Sequence, residues 1–432
     1  MKKSKLLVSA MIACMCVSIL SGCGSKKADT AKTKEKGPVK LQFTLSSDSG
    51  ETVELYKKMI AQYESLNKNV KIEFKPIIQD YDQKVLVMVG GGNAPDVMWA
   101  SDSIVANYAK NNGLVDLTPY DGKYFKSKDF DEQVLSSYKV KDKIYALPSD
   151  TSTMALFINR DLFKKYNVEI PNESMSWEQL REIAKKLTVK EENQYGFALE
   201  YGTGIASGVF PFLMQNKAKL ISDDGQKSTF NTPEVIETFN FLRDMMVTDK
   251  SSPSATGENK IGPSELFKAG KLAMLWGGTW NLSTTLPDVK FNYDIVKLPH
   301  KQQQASIAYS GGFAVTQSTK NADEAVKFMA WFAGEEGQKI RCESSYAGAP
   351  TVTKLLSSAT AFKGFENPNR KDVNTKLLAE IHKNLYALPI EIGTNKEFID
   401  SIKKYTDLFM EGKLDADAAT KEIDKSYESI NK

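Results

Sequence analysis

Five segments decide the fold: VKLQFTL (39–45), SGETVELYKKMIAQYESL (49–66), VKIEF (70–74), DQKVLVMV (82–89) with Gly90-Gly91-Gly92 behind it, and DVMWA (96–100). In the first, Val39, Leu41, Phe43 and Leu45 alternate with Lys40, Gln42 and Thr44, the period-two mark of a half-buried strand. In the second, Val53, Tyr56, Ile60, Tyr63 and Leu66 recur at helical spacing behind Ser49 and Gly50. Val70, Ile72 and Phe74 alternate again and stop at Pro76, a short helix over about 82–89 ends in the glycines, and a third strand spans 96–100. Strand, helix, strand, helix, strand in this rhythm requires right-handed crossovers. It predicts an α/β fold with a mostly parallel sheet and helices on both faces.

Open sheets of this kind bind ligands outside the carboxyl ends of their strands. Asp48 falls just past the first strand, and Trp99 and Asp102 fall at the end of the third, so one rim gathers an aromatic and two carboxylates. That combination suits a sugar, whose C–H face stacks on an aromatic plane and whose hydroxyls donate to carboxylates. A core Trp99 flanked by two helix-capping aspartates accounts for the same pattern equally well.

The chain has 432 residues, 57 Lys+Arg against 54 Asp+Glu, and only 2 His. Such a length calls for two or three domains or two large lobes. A net charge of +3 gives no concentrated basic face for nucleic acid. Two histidines leave little room for a His-rich metal site. A near-neutral binding protein or a carboxylate-based enzyme fits what remains.

Lys2, Lys3 and Lys5 precede an apolar run from Leu6 to Leu20, too short for a permanent span and patterned as a secretory signal over residues 1–22. It ends in Leu20-Ser21-Gly22-Cys23, which resembles the lipobox of bacterial lipoproteins. That resemblance implies diacylglyceryl thioether formation on Cys23, lipid anchoring and an extracytoplasmic location on the cell membrane. Residues 23–37 carry no aliphatic side chain larger than Ala and read as a flexible lipidated tether. With Cys14 and Cys16 removed and Cys23 acylated, Cys342 is the one remaining thiol, expected to be buried and inert. The basic excess sits in the signal and tether, which leaves 49 basic against 52 acidic residues from 38 onward.

Gly91-Gly92-Asn93-Ala94-Pro95-Asp96-Val97-Met98-Trp99, followed by Gly113-Leu114-Val115-Asp116-Leu117-Thr118-Pro119, resembles the extracellular solute-binding proteins of carbohydrate ABC importers, of which the maltose-binding type is the best known. Further matches are Ile144 to Pro148 with Asn159 to Phe163, Ser176 to Leu180, Phe267 to Trp280, Gly311-Gly312 with Ala322 to Gln338, and Gly348-Ala349-Pro350. The resemblance covers nearly the whole chain behind the lipobox. It implies a two-lobed periplasmic-binding-protein-like (type II) fold with interleaved lobes and a hinge: residues 38–150 and 307–352 in the first lobe, 152–303 and 356–432 in the second. Pro148-Ser149-Asp150 and Ser310-Gly311-Gly312 are suited to the crossings.

Carried over by position, the resemblance assigns sugar contacts to Asp48, Trp99 and Asp102 in the first lobe, to Asp150 or Ser152 at the hinge, and to Tyr201 and Trp280 in the second lobe. Gly311 and Gly312 join this ligand-binding set, and so does Trp276, for which core packing is the equal alternative. Trp177 and Trp331 read as structural. The maltose type has another stacking tryptophan near Pro389 to Gly393 that this chain lacks, which implies a shorter or differently oriented ligand or a contribution from Tyr386.

Gly202 to Gly208 misses the dinucleotide fingerprint by one position, so a ligand-facing loop is favoured over a phosphate cradle. Asp223-Asp224-Gly225 is a turn rather than a calcium loop. His300 and His382 are expected at the surface or as caps. The expectation is a monomeric, non-enzymatic receptor with no cofactor, which binds a neutral mono- or oligosaccharide and hands it to an ABC permease driven by a separate ATPase. A secreted carbohydrate hydrolase using paired carboxylates and a lipoprotein adhesin are the alternatives.

Overall fold

The computed structural model describes residues 37–46, 50–200, 208–253, 261–344, 348–366, 370–393 and 395–430, without the side chains of 102, 103 and 390. β1 (Val39–Thr44), α1 (Gly50–Leu66), β2 (Val70–Phe74), α2 (Tyr81–Gly90) and β3 (Val97–Ser101) follow the expected rhythm, with α3 (Asp102–Lys110) directly behind. β1 pairs in parallel with β2 and with β3. A small hairpin of β4 (Lys139–Val140) and β5 (Lys143–Ile144) leads into β6 (Ala146–Asn159). Then come β7 (Tyr195–Leu199), β8 (Leu272–Gly278), β9 (Tyr293–Val296), β10 (Ser306–Val315) and β11 (Leu385–Tyr386).

The sheet order is β2-β1-β3-β10-β6-β8-β7, with β9 on β6 and β11 on β10. The expected mostly parallel sheet is therefore corrected to a mixed one. β10 runs antiparallel to β3 and β6, and β6 antiparallel to β8 and β9. The cause is the path of two strands, each of which serves two cores. In the first core, Leu41 and Phe43 of β1, Tyr56 and Ile60 of α1, and Phe313 and Val315 of β10 are buried together. Phe43 lies at its centre, with ring centroids 5.4 Å from Phe74, 5.4 Å from Phe328 and 5.1 Å from Phe332. In the second core, Met154 to Ile158 of β6 and Leu272 to Trp276 of β8 pack with Phe212 and Phe398. Leu147 of β6 belongs to the first core, and Ile307 of β10 to the second. One strand runs out of a core as the other returns, so the two must pair antiparallel.

A third segment joins them: Thr151 and Ala349 exchange both backbone hydrogen bonds, each 2.9 Å. Opposite Gly311 and Gly312, β6 carries a bulge, with Asp150 and Pro148 paired and Ser149 left over. The carbonyls this exposes are met by buried side chains. Arg341 Nη2 donates to Ser149 O at 2.6 Å, and Thr351 Oγ1 donates to Pro148 O at 2.9 Å. Gln338 ties this segment further, accepting from Thr351 N (2.7 Å) and Val352 N (3.0 Å).

Trp177 opens the helix Trp177–Lys186 behind a Ser176–Gln179 capping box and stacks on Phe241 at 4.7 Å. Trp331 packs on Tyr63 at 5.4 Å. Both are structural. His300 bonds Ser174 Oγ through Nδ1 (3.0 Å). His382 is a cap but not a surface residue: buried, it follows the helix Leu377–Ile381 with Nδ1 2.7 Å from Leu378 O. Asp224 and Gly225 form a turn, Gly225 at φ 69°.

Cys342 is buried, and burial pushes its thiol up to about 11. Below that pH the sulfur stays protonated and a poor nucleophile. With the other three cysteines changed to Ser, the native protein should give no fast reaction with Ellman's reagent at pH 8, and one equivalent once unfolded. Fast native labelling would contradict this burial.

Candidate functional site

Directly paired residues of an antiparallel ladder share a face, and so do residues two apart on one strand. Tyr309 opposes Ser152, and Gly311 opposes Asp150 on one side and Ser101 on the other. These five therefore line one face of the sheet at the place where β6 and β10 pass between the cores. Asp150, Ser152 and Tyr309 are each half-buried, so the strip is open to solvent.

Trp99 and Trp280 stand at the ends of this strip, and each lies on a glycine. A Cβ at Gly311 would stand 2.5 Å from Trp99 Nε1, so the indole of Trp99 covers the Gly311 backbone. A Cβ at Gly278 would stand 2.1 Å from the Trp280 ring. Trp280 in turn meets Tyr309 edge-on, with ring centroids 5.5 Å apart. Both tryptophans are half-buried, each with part of the indole reachable. Trp99 is further held by Tyr81, whose hydroxyl donates to Trp99 O at 2.7 Å and whose ring meets it edge-on at 5.6 Å. A hollow of about 410 Å³ opens beside it, lined by Ser46, Asp80, Tyr81, Asp82, Gln83 and Trp99. Asp82 reaches water, yet the protein walls around it desolvate the carboxyl enough to raise it above its ordinary value.

Thus Trp99, Asp150, Ser152, Trp280 and Gly311 are brought together. Gly311 serves as the seat of an indole. Gly312 does not face the strip: its α-carbon is held between Leu147 O and the Tyr138 ring, at 2.8 and 2.9 Å from a would-be Cβ. Trp276 does not reach it either, which corrects its expected ligand contact. It is wholly buried on β8 against Phe212 (4.7 Å), because every position of β8 is covered and an indole there serves the core. Asp48 and Tyr201, the Asp102 side chain, the Gly202 to Ser207 loop and Cys23 lie outside the described residues.

Tyr309 and Glu200 were missed. Tyr309 is legible only through the register that sets it opposite Ser152. Glu200, at the end of β7, accepts from Gly278 N (2.8 Å) and Asn281 Nδ2 (2.9 Å), and no local spacing announces that. Chemically, the strip offers aromatic planes, a carboxylate and hydroxyls. That set grips a molecule with an apolar face and hydrogen-bonding edges. Among the described residues no group of His, Cys, Asp or Glu is placed to hold a metal ion. No described helix is long and apolar enough to cross a membrane.

The chain belongs to the bacterial extracellular solute-binding protein family, whose model matches residues 48–339, more than half its length. It has the two-lobed, periplasmic-binding-protein-like (type II) fold of its structural neighbours. The galactooligosaccharide-binding protein of Bacillus subtilis is 24% identical over 366 residues, 82% of this chain and 83% of that one. The cyclic α-maltosyl-1,6-maltose binding protein from Arthrobacter globiformis superposes with a TM-score of 0.79 at 18% identity, over 91% of this chain and 99% of the other. An ABC substrate-binding protein from Listeria monocytogenes in complex with cycloalternan gives 0.76 at 22%, over 91% and 99%.

The two adjacent glycines of β10, Gly311 and Gly312, should respond differently to an added methyl group. Gly312→Ala meets a backbone carbonyl that cannot swing aside, and melting curves should show a loss of about 1–3 kcal/mol. Gly311→Ala meets only an indole edge, so it should shift tryptophan emission more than melting temperature. The reverse ranking would contradict the seating of Trp99 on Gly311.

Proposed function

We propose that this protein captures a neutral mono- or oligosaccharide on the strip between Trp99 and Trp280 and delivers it to an ABC permease driven by a separate ATPase. One observation carries the reading: two half-exposed indoles, each seated on a glycine, stand at opposite ends of one sheet face, with Asp150 and Ser152 between them. Indole faces take the C–H surface of a sugar, while the carboxylate and hydroxyl take its hydroxyls. The names of relatives support the class, since a galactooligosaccharide-binding and an arabinooligosaccharide-binding protein are among them. Asp48, Asp102 and Tyr201 complete the contacts.

The lobes divide as 38–150 with 307–352 and 152–303 with 356–432, the division that the family resemblance implies. Ligand that binds the closed arrangement more tightly shifts the population toward it. The protein acts as a monomer, and Cys23 carries the lipid that holds it outside the cell membrane, because the stretch before it ends in the lipobox pattern.

A thermal-shift screen against cycloalternan, maltotetraose, galacto- and arabino-oligosaccharides should find sugars that raise the melting temperature. Trp99→Ala and Trp280→Ala should each weaken binding of such a sugar by about 1–3 kcal/mol. No shift with any sugar, or unchanged affinity in both variants, would sink the assignment. For the anchor, Cys23→Ser should abolish labelling by radioactive palmitate and release the protein into the medium; a labelled variant would refute it.

A further inference from the structure

We infer that Glu200 is a positioning residue that sets the plane of Trp280, an inference that rests on the reading of Trp280 as a ligand-stacking surface. The turn Gly277-Gly278-Thr279-Trp280 leaves β8 and carries the indole, and a helix of only four residues, Asn281–Thr284, follows it. That helix is too short to fix the turn by its own ladder. Glu200 supplies the missing bonds from a neighbouring strand end. Its Oε2 accepts from the N–H of Gly278 at 2.8 Å, and its Oε1 accepts from Asn281 Nδ2 at 2.9 Å and from the Ser264 hydroxyl. Asn281 Nδ2 also donates to Gly278 O (3.0 Å), so one carboxylate and one amide clamp both ends of the glycine on which the indole lies. The Glu200 backbone is itself fixed, its N–H donating to Trp276 O at 2.9 Å.

Each glycine of the pair has its own steric reason. A Cβ at Gly278 would enter the Trp280 ring, and a Cβ at Gly277 would stand 3.0 Å from Asn281 Nδ2 and 3.3 Å from Glu200 Cδ. Gly277 therefore makes room for the clamp, and Gly278 for the platform. A carboxylate accepts on both oxygens, which matches three donors converging from three segments. A glutamine would turn one of its two ends into a donor facing donors. Holding a contact surface in place before ligand arrives reduces the ordering cost of binding.

The test has two arms. In the first, the protein is labelled with 5-fluorotryptophan and read by fluorine NMR without ligand, with the Trp280 resonance assigned by its loss in Trp280→Phe. Glu200→Ala should shift and broaden that resonance, Glu200→Gln less so, and Trp177 and Trp331 should stay put. Ser264→Ala, which removes a single donor, should move the same resonance slightly and guards against a Glu200 variant that fails to fold. An unmoved Trp280 resonance in these variants overturns the inference.

In the second arm, maltotetraose is titrated into a double-mutant cycle. Glu200→Ala alone should weaken binding on the order of tenfold, and should add less than about twofold once Trp280 is Ala, because residues acting through one another are non-additive. Additive effects overturn the inference. If maltotetraose binds neither the wild type nor any variant, the sugar reading suffers alone, and the fluorine arm still decides the role of Glu200.

Discussion

Everything in this protein hangs on the antiparallel pairing of β6 with β10. Seven residue pairs, from Ala308 with Thr153 to Ala314 with Ala146, link two strands that each feed two hydrophobic cores. Buried backbone N–H and C=O groups must find partners, so a strand passing between cores has to keep its ladder throughout. Where the ladder slips, at Ser149, the molecule spends polar side chains on the gap. Arg341, a wholly covered cation, points Nη2 at Ser149 O, and Gln338 bonds Thr351, Val352 and Ala333 at once. A buried arginine is costly without such bonds, and here it follows from the bulge.

The same constraint explains why the strip can be both rigid and open. Two strands exposed on one face between cores present alternate side chains to solvent while their backbones stay fully bonded. A large aromatic ring can come this close to the backbone only where a side chain is missing. Gly311 and Gly278 provide those places, one in β10 and one at the end of β8. Each indole is thus seated on backbone and flanked by a tyrosine, Trp99 by Tyr81 and Trp280 by Tyr309.

Much of this was legible in the residues. The alternation of Val39, Leu41 and Phe43 and the helical spacing of Tyr56, Ile60 and Tyr63 identified β1 and α1, because each buries one face of a regular element. β8 likewise ends on its own glycine pair, Gly277-Gly278, just before Trp280. The central strands were not legible as antiparallel. β6 reads ALPSDTSTMALFIN, in which Pro148 and five Ser, Thr or Asp residues break any periodic pattern, since its polar half lies in neither core. Trp276 shows a second limit: an apolar run announces burial but not whether a given indole turns to core or cleft. Tyr309 and Glu200 show a third, because their partners, Ser152 and Gly278, are far away in the chain and only register brings them together.

That ladder also limits how the cores can move against each other. Sliding β10 along β6 would break several buried hydrogen bonds together, each expensive to leave unmade. Ser149 alone steps out of the ladder opposite Gly311-Gly312, and it is held instead by Arg341 on its carbonyl and by its own hydroxyl, which donates to Gly311 O at 3.1 Å. Trp99 lies over Gly311, and Tyr309, two residues earlier on the same strand, meets Trp280. The bulge in β6 is thus next to the glycine that seats the Trp99 ring, and both are features of the β6–β10 pair.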